Sequence, residues 1–396
     1  MSANSKQLSY ISFEEAISRV YSEKWNQLTS SYQSVKSAMG LIASEDVSCG
    51  GFVPEFNRSA MDGYAVLSAV TVSASERNPV RIGSPSRNPQ RGESFPVNTG
   101  DLIPDAFDSV IMLEDTLVTD DAIYALKPLR PSENISSKGE DLKPYSVILR
   151  KGDIIQPENI AASLACRKAD ICAYRKLIIA ILSTGDEIVS GRVPNYTQPL
   201  LCGKYSMPFT EVIDLGVVGD SGDLIRDRVV SSLRNCDIMV ITGGSGPSAI
   251  DLVPKVLDII GKRLFRGVKI RPGKTISAYN VDGKLVLSTS GLPVASLVST
   301  EPFVWAYIDR LTGFRRKRVI VKATMDGKVV ASPGMRTYLR VTLENHDGKF
   351  ICRPLEISGS GILSTILDSS GTIVVNEDSE GINIGQTVEV ELDRVG

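Results

Sequence analysis

Phe13, Ala16, Ile17 and Val20 recur at helical spacing behind Ser12-Phe13-Glu14-Glu15, so the pattern predicts an amphipathic helix opened by a capping box. From about Gly50 to Pro131 the apolar runs shorten and are cut by Gly, Pro, Asn and Ser, the texture of a compact β-rich unit. Gly152 to Pro157 reads as a tight turn ahead of a small-residue helix, Ile160 to Ala169. From Leu177 the period changes. Apolar runs at Leu177–Leu182, Val212–Val218, Asp237–Ile241 and Lys284–Leu287 alternate with helical stretches at Asp223–Leu233, Asp251–Ile260 and Val294–Leu311, the last closed by Gly313. Such alternation predicts a parallel sheet with helices on both faces. After Arg315-Arg316-Lys317-Arg318 only short alternating segments remain, which predict a small β-sandwich or barrel.

A chain of 396 residues exceeds one ordinary core, so two to four domains of roughly 100 residues each are expected. Lys+Arg 44 against Asp+Glu 46 leaves a formal charge of -2, which argues against nucleic acid as a partner and requires any anionic ligand to be held locally. Neither a signal peptide nor a long apolar run is visible, so a cytoplasmic protein without a membrane span is expected. Six cysteines without CxxC spacing and a single histidine, His346, remove sequence support for a zinc site, a disulfide framework or a histidine-based triad. Catalysis would then fall to carboxylates, Lys and Arg, backbone amides and a hard metal.

In an open α/β sheet, ligands bind beyond the carboxyl ends of the strands, where helix amino termini present free amides. Asp186 and Glu187 follow the first strand, Gly243-Gly244-Ser245-Gly246 follows the third, and Asp251 opens the next helix. A glycine-rich turn lets amides approach a phosphate, and a nearby carboxylate suits Mg²⁺. Each signal has a plain alternative: a turn with an N-cap, or, for Asp237, a strand boundary. Lys274 in Ile270-Arg271-Pro272-Gly273-Lys274 is an anion clamp or a solvated turn. Physics alone reads Asp62-Gly63 as a turn and Gly139-Glu140-Asp141 as a solvated loop.

Taken together, PEFNRSAMDGYAV (Pro54 to Val66), NTGDLIPDAFDSVIMLEDT (Asn98 to Thr116), NISSKGEDL (Asn134 to Leu142), STGDE (Ser183 to Glu187), the RPGK turn and SGSGILSTILDSSGTIVV (Ser358 to Val375) resemble the MoeA/gephyrin E-domain family over nearly the whole chain. The resemblance implies a multidomain α/β plus β protein, an elongated four-domain subunit. Residues 1–47 and 135–176 would form a linker and dimerisation domain, and 48–134 a β-rich insert. A MogA/MoaB-like α/β domain would occupy 177–315 and a β-barrel or sandwich 316–396. It implies molybdenum insertion into adenylylated molybdopterin with Mg²⁺ and release of AMP, in a homodimer that works with other proteins of cofactor synthesis. Carried over by motif, Asp62 and Asp141 complete the cleft from a second subunit. Glu187, Asp237 and Asp251 position Mg²⁺ and phosphates, and Thr184, Gly243, Gly244 and Ser245 contact the cofactor. Arg271 and Lys274 hold molybdate with Arg340 and Ser360.

The chain also departs from the family pattern. GLPGNPVS becomes GLPVASLV at Val294, Ala295 and Ser296, and where the family has an Asp-Ser/Thr-Asn turn and a full helix, Leu200 to Thr210 lacks that turn and is shorter. Asp251 is followed by Leu252 instead of Tyr, Lys274 by Thr275 instead of Pro, and Ser136 stands where Arg is usual. These changes leave a second reading, a paralogue that binds cofactor or serves as a dimeric scaffold without turnover. A third, a generic Mg²⁺-dependent phosphohydrolase, leaves SAMDGYA unexplained.

Overall fold

The computed structural model describes residues 10–84, 94–243, 252–355 and 361–393. Helix α1 (Phe13–Ser22) begins at the predicted cap: the Ser12 hydroxyl accepts from the Glu15 amide at 3.1 Å, and Ala16 and Val20 are buried. After β1 (Ser30–Ser34) the chain passes into a β-rich module in which β2 (Gly63–Val66) lies between β3 (Phe95–Val97) and β4 (Ser109–Met112). It enters and leaves through one two-stranded neck. There Val53 donates to the Leu142 carbonyl at 2.7 Å and Leu142 returns the bond at 3.1 Å, while Cys49 and Tyr145 to Ser146 pair in the same way. Helix α2 (Pro157–Ala165) starts earlier than its small residues suggested, because Pro157 serves as the first helical position; it ends before β5 (Asp170–Tyr174), which pairs antiparallel with β1.

A disulfide joins Cys49 at the base of the neck to Cys166 at the end of α2, with Cα atoms 5.3 Å apart and a sequence separation of 117. This corrects the expectation that the cysteines carry no cross-link. The bond depends on two segments meeting in space, which spacing along the chain does not encode.

The α/β layer follows, in the order β6 (Leu177–Thr184), α3 (Asp186–Val189), α4 (Thr197–Tyr205), β7 (Thr210–Val218), α5 (Gly222–Leu233), β8 (Ile238–Thr242), α6 (Leu252–Ile260), β9 (Lys262–Arg266), β10 (Ile270–Arg271), β11 (Ser277–Val281), β12 (Lys284–Thr289) and α7 (Pro293–Thr312). The sheet order is β7–β6–β8–β12–β11–β9. Its first four strands are parallel, as predicted, but β11 runs antiparallel to both neighbours because Asp282-Gly283, both at positive φ, closes a two-residue hairpin from β11 into β12. Alternate residues of β6 bury on opposite faces: Ile179 and Ile181 against α4 and α7, Ala180 and Leu182 against α5 and α6. Helix α4 runs into the Leu200 to Thr210 segment; buried Leu201 and Tyr205 anchor it, and the Tyr205 hydroxyl meets Thr300 Oγ1 at 2.6 Å.

Helix α1 shares this core, with Phe13 against Phe303 (ring centroids 6.2 Å) and Trp25 edge-on to Tyr307 (4.9 Å). Beyond α7, Gly313 takes the left-handed conformation that ends the helix. The tail is a closed five-stranded barrel of β13 (Ile320–Met325), β14 (Arg336–His346), β15 (Lys349–Pro354), β16 (Gly371–Val375) and β17 (Thr387–Leu392), with α8 (Ser364–Leu367) before β16. Closure rests on the 11-residue β14, which pairs with β16 along its first half and β15 along its second. Strand β10, which belongs to the α/β layer in sequence, pairs parallel with the start of β14.

Candidate functional site at the strand ends and the barrel junction

The carboxyl ends of β6, β8 and β12 meet backbone to backbone. Gly243 has φ +106°, its amide donates to the Thr289 carbonyl at 3.1 Å, and a Cβ there would lie 2.3 Å from the Thr184 carbonyl oxygen. No larger residue fits. Gly291 closes the third side, its would-be Cβ at 3.5 Å from Gly243 Cα. Thr184 is buried and its hydroxyl reaches the Thr242 carbonyl at 3.4 Å, so it braces the turn. The Glu187 carboxylate folds back to 2.7 Å from the Cβ position of Gly185 and remains exposed. Asp186 and Asp220 accept each other's backbone amides, at 3.0 and 3.3 Å, a reciprocal clamp that the sequence reading did not foresee. Gly244, Ser245 and Asp251 lie outside the described residues.

Asp237 lies elsewhere. It precedes β8, at the amino end of the parallel strands, and its carboxylate accepts from Arg175 Nη1 at 2.7 Å, Arg175 Nη2 at 2.8 Å and the Ile178 amide at 2.8 Å. Five strand residues separate it from Gly243, on the order of 15 Å of extended chain. The metal-ligand expectation for Asp237 is corrected accordingly: its charge is matched by a guanidinium, and that bond raises the Arg175 pKa further.

The second half of the site lies where the α/β layer meets the barrel. After β10 the cis Arg271–Pro272 bond leads to Gly273, at φ +99°, whose Cβ position is 2.5 Å from Ser299 Cβ and 2.7 Å from the Ala295 carbonyl of α7. Ser299 Oγ in turn meets Thr289 Oγ1 at 2.8 Å, so this one side chain connects the RPGK turn to the strand ends. The turn opens onto a cavity of about 440 Å³ bounded by Tyr10, Arg271, Lys274, Ser332, Tyr338 and Arg340. Arg271 donates to the Ser332 hydroxyl and Arg340 Nε to Thr365 Oγ1 at 2.9 Å. Burial holds the Arg340 pKa below its usual value, against a smaller opposing effect of Asp393. None of the three cations forms an ion pair among the described residues, which leaves their charge available to an anion.

Ser360 lies outside the described residues, but Gly361 beside it comes within 3.2 Å, measured from its Cβ position, of Leu292 at the start of α7. Val294, Ala295 and Ser296 are all buried in that first turn, where the Ser296 hydroxyl donates to the Ser290 carbonyl.

Asp62 and Asp141 sit in the module and its neck. Asp62 is exposed and accepts from the Thr99 amide at 2.7 Å and hydroxyl at 2.9 Å, bonds that hold its carboxyl below the ordinary 3.8. Gly63 next to it must be glycine, since a Cβ would meet the Ile111 carbonyl at 1.9 Å. Asp141 is exposed in the neck, its amide bonded to the Val53 carbonyl at 3.1 Å. The partners of both lie within module and neck, not at the strand ends of the same protomer.

Three family models cover the chain in order: the MoeA N-terminal region (domain I and II) matches residues 11–166, the "probable molybdopterin binding domain" 180–346, and the MoeA C-terminal region (domain IV) 322–392. A molybdopterin biosynthesis protein of Methanocaldococcus jannaschii is 31% identical over 377 residues, 90% of this chain and 91% of its own. The chain belongs to the MoeA family. Within that family, the molybdopterin molybdenumtransferases of Haemophilus influenzae and Bacillus subtilis are 28% and 27% identical over 383 and 411 residues, 91% and 97% of this chain and 93% and 94% of theirs. The crystal structure of the MoeA protein from Pyrococcus horikoshii superposes with a TM-score of 0.82 at 27% identity, covering 98% of this chain and all of that one.

Proposed function

We propose that this MoeA-family chain is a molybdopterin molybdenumtransferase, which binds adenylylated molybdopterin, releases AMP and passes molybdate to the dithiolene. The observation that carries the reading is the cluster of Arg271, Lys274 and Arg340 around one cavity, free of carboxylate partners among the described residues and joined through Ser299 to a backbone turn suited to phosphate. Molybdate is a compact dianion, and guanidinium and ammonium groups in a partly desolvated cavity bind such ions through charge-assisted hydrogen bonds. The pyrophosphate of the substrate would lie over the Gly243 turn.

No group of three or more metal-ligating side chains is found among the described residues, yet Mg²⁺ needs none: it keeps several waters and takes one or two carboxylates plus substrate phosphates. Glu187, which is exposed, and Asp251, from the motif, are the residues assigned to hold it, and bound Mg²⁺ would neutralise charge on the phosphate oxygens. A second copy of the chain would supply Asp62 and Asp141, whose exposure leaves both free to face a partner. Among the described residues no helix is long and apolar enough to cross a membrane, and a cytoplasmic site of action belongs to the same reading.

Purified protein given adenylylated molybdopterin, Mg²⁺ and molybdate should release AMP and reconstitute a cofactor-free molybdoenzyme. Binding without AMP release would instead support a cofactor-binding scaffold, a reading favoured by buried Val294, Ala295 and Ser296 at the family's Gly-Asn-Pro positions.

A further inference from the structure

The segment Tyr10 to Glu14 is tied to three parts of the molecule at once. Ile11 bridges to Val268 in the segment between β9 and β10, donating to the Gly267 carbonyl at 3.3 Å and accepting from the Lys269 amide at 2.9 Å. Phe13 and Glu14 reach the barrel: the Phe13 amide donates to Glu377 Oε1 at 3.4 Å, Glu14 pairs with Arg336 at 3.0 Å, and the Arg336 guanidinium lies 4.5 Å from the Phe13 ring centroid. Arg336 is the residue opposite Ile270 in the β10–β14 ladder, so this grip acts one residue from Arg271. Tyr10 itself lines the cavity. Its ring is seated against Gly267, where a Cβ would come within 2.6 Å, and the Lys274 ammonium stands 5.7 Å from the ring centroid.

We infer that Tyr10 is a positioning residue for the oxyanion site: its ring face holds the Lys274 ammonium over the cavity, and the Tyr10–Glu14 strap fixes that ring relative to both the α/β layer and the barrel. Lys274 has four rotatable bonds and no carboxylate partner among the described residues, so without the ring its ammonium spreads over many solvated positions. A cation–π contact keeps the charge uncompensated and therefore attractive to an anion, which a carboxylate partner would not. The inference rests on the oxyanion reading of the cavity.

Two measurements test it separately from that reading. In the turnover assay, Tyr10→Leu should raise the KM for molybdate about two- to fivefold, the size of an exposed cation–π contact, with kcat at saturating molybdate unchanged, and Tyr10→Phe should restore the KM. Independently of turnover, reductive ¹³C-methylation should give a Lys274 resonance, assigned by its loss in Lys274→Arg, that is ring-current shifted in the wild type and in Tyr10→Phe but not in Tyr10→Leu. An unshifted wild-type resonance overturns the contact. A shifted resonance with an unaltered KM in Tyr10→Leu overturns the positioning role while the transferase activity stands. Absence of molybdate-dependent turnover in the wild type removes the transferase reading and the positioning role with it, and leaves the contact to be judged by the resonance.

Discussion

Replacing Asp237 by alanine separates a structural carboxylate from a metal ligand. The Arg175 side chain is 43% exposed and that of Asp237 14%, so their ion pair is screened on one side and contributes about 0.2–1 kcal/mol. The larger cost comes from the Ile178 amide, which loses its acceptor; an unpaired buried donor costs about 1–3 kcal/mol. A total of about 1–4 kcal/mol follows, a fall in melting temperature of roughly 2–16 °C for an α/β unit of this size. Asp237→Asn keeps an oxygen toward Ile178 and should lose no more than about 1 kcal/mol. Scanning calorimetry of both variants, paired with Mg²⁺ titrations of AMP release, gives the readout. Unchanged melting in Asp237→Ala together with a raised Mg²⁺ requirement would refute the assignment and return this residue to the metal.

Gly273→Ala combines a left-handed backbone with a Cβ 2.5 Å from Ser299; strain and overpacking together cost about 2–5 kcal/mol, and the displaced turn should weaken molybdate dependence in the same assay. Reduction of Cys49–Cys166, or Cys166→Ala, should destabilise the amino-terminal half by roughly 4–5 kcal/mol if chain entropy governs a loop of this length, seen as a lower melting point in reductant; identical melts would contradict it. Asp62 has a depressed folded pKa, so its contribution to stability is present above 3.8 and is lost as pH falls through the folded value. Thr99→Val, which removes the hydroxyl bond and keeps the amide bond, should return the Asp62 pKa partway toward 3.8 in a ¹³C titration.

Strand runs such as Leu177–Leu182 were legible because both faces are buried, and the carboxyl-end rule then located the Gly243 turn and Glu187. Asp237 misled because a carboxylate at a strand boundary looks the same in sequence whichever end of the sheet it occupies; only its pairing with Arg175, 62 residues away, decides. Asp282-Gly283 did carry a hairpin signal, which the expectation of an all-parallel sheet obscured. The clustering of Arg271, Lys274 and Arg340 came from motif resemblance, since their meeting depends on β10, ending at Arg271, joining a strand that begins only at Arg336. Ser299 and Tyr10 had no signal: one is a small residue inside an apolar helix, the other an isolated aromatic near the chain start.

A two-stranded neck as the one connection would let the module act as a lever about it. Asp141 sits in the neck, bonded to Val53, whereas Asp62 lies beyond it in the module. Bending there would swing one carboxylate through an arc while the other turned almost in place, so the gap between the two depends on hinge angle as well as on reach. The cross-link from Cys49 to Cys166 clamps the fixed end of that lever, and its loss would widen the range of angles the arm can sample.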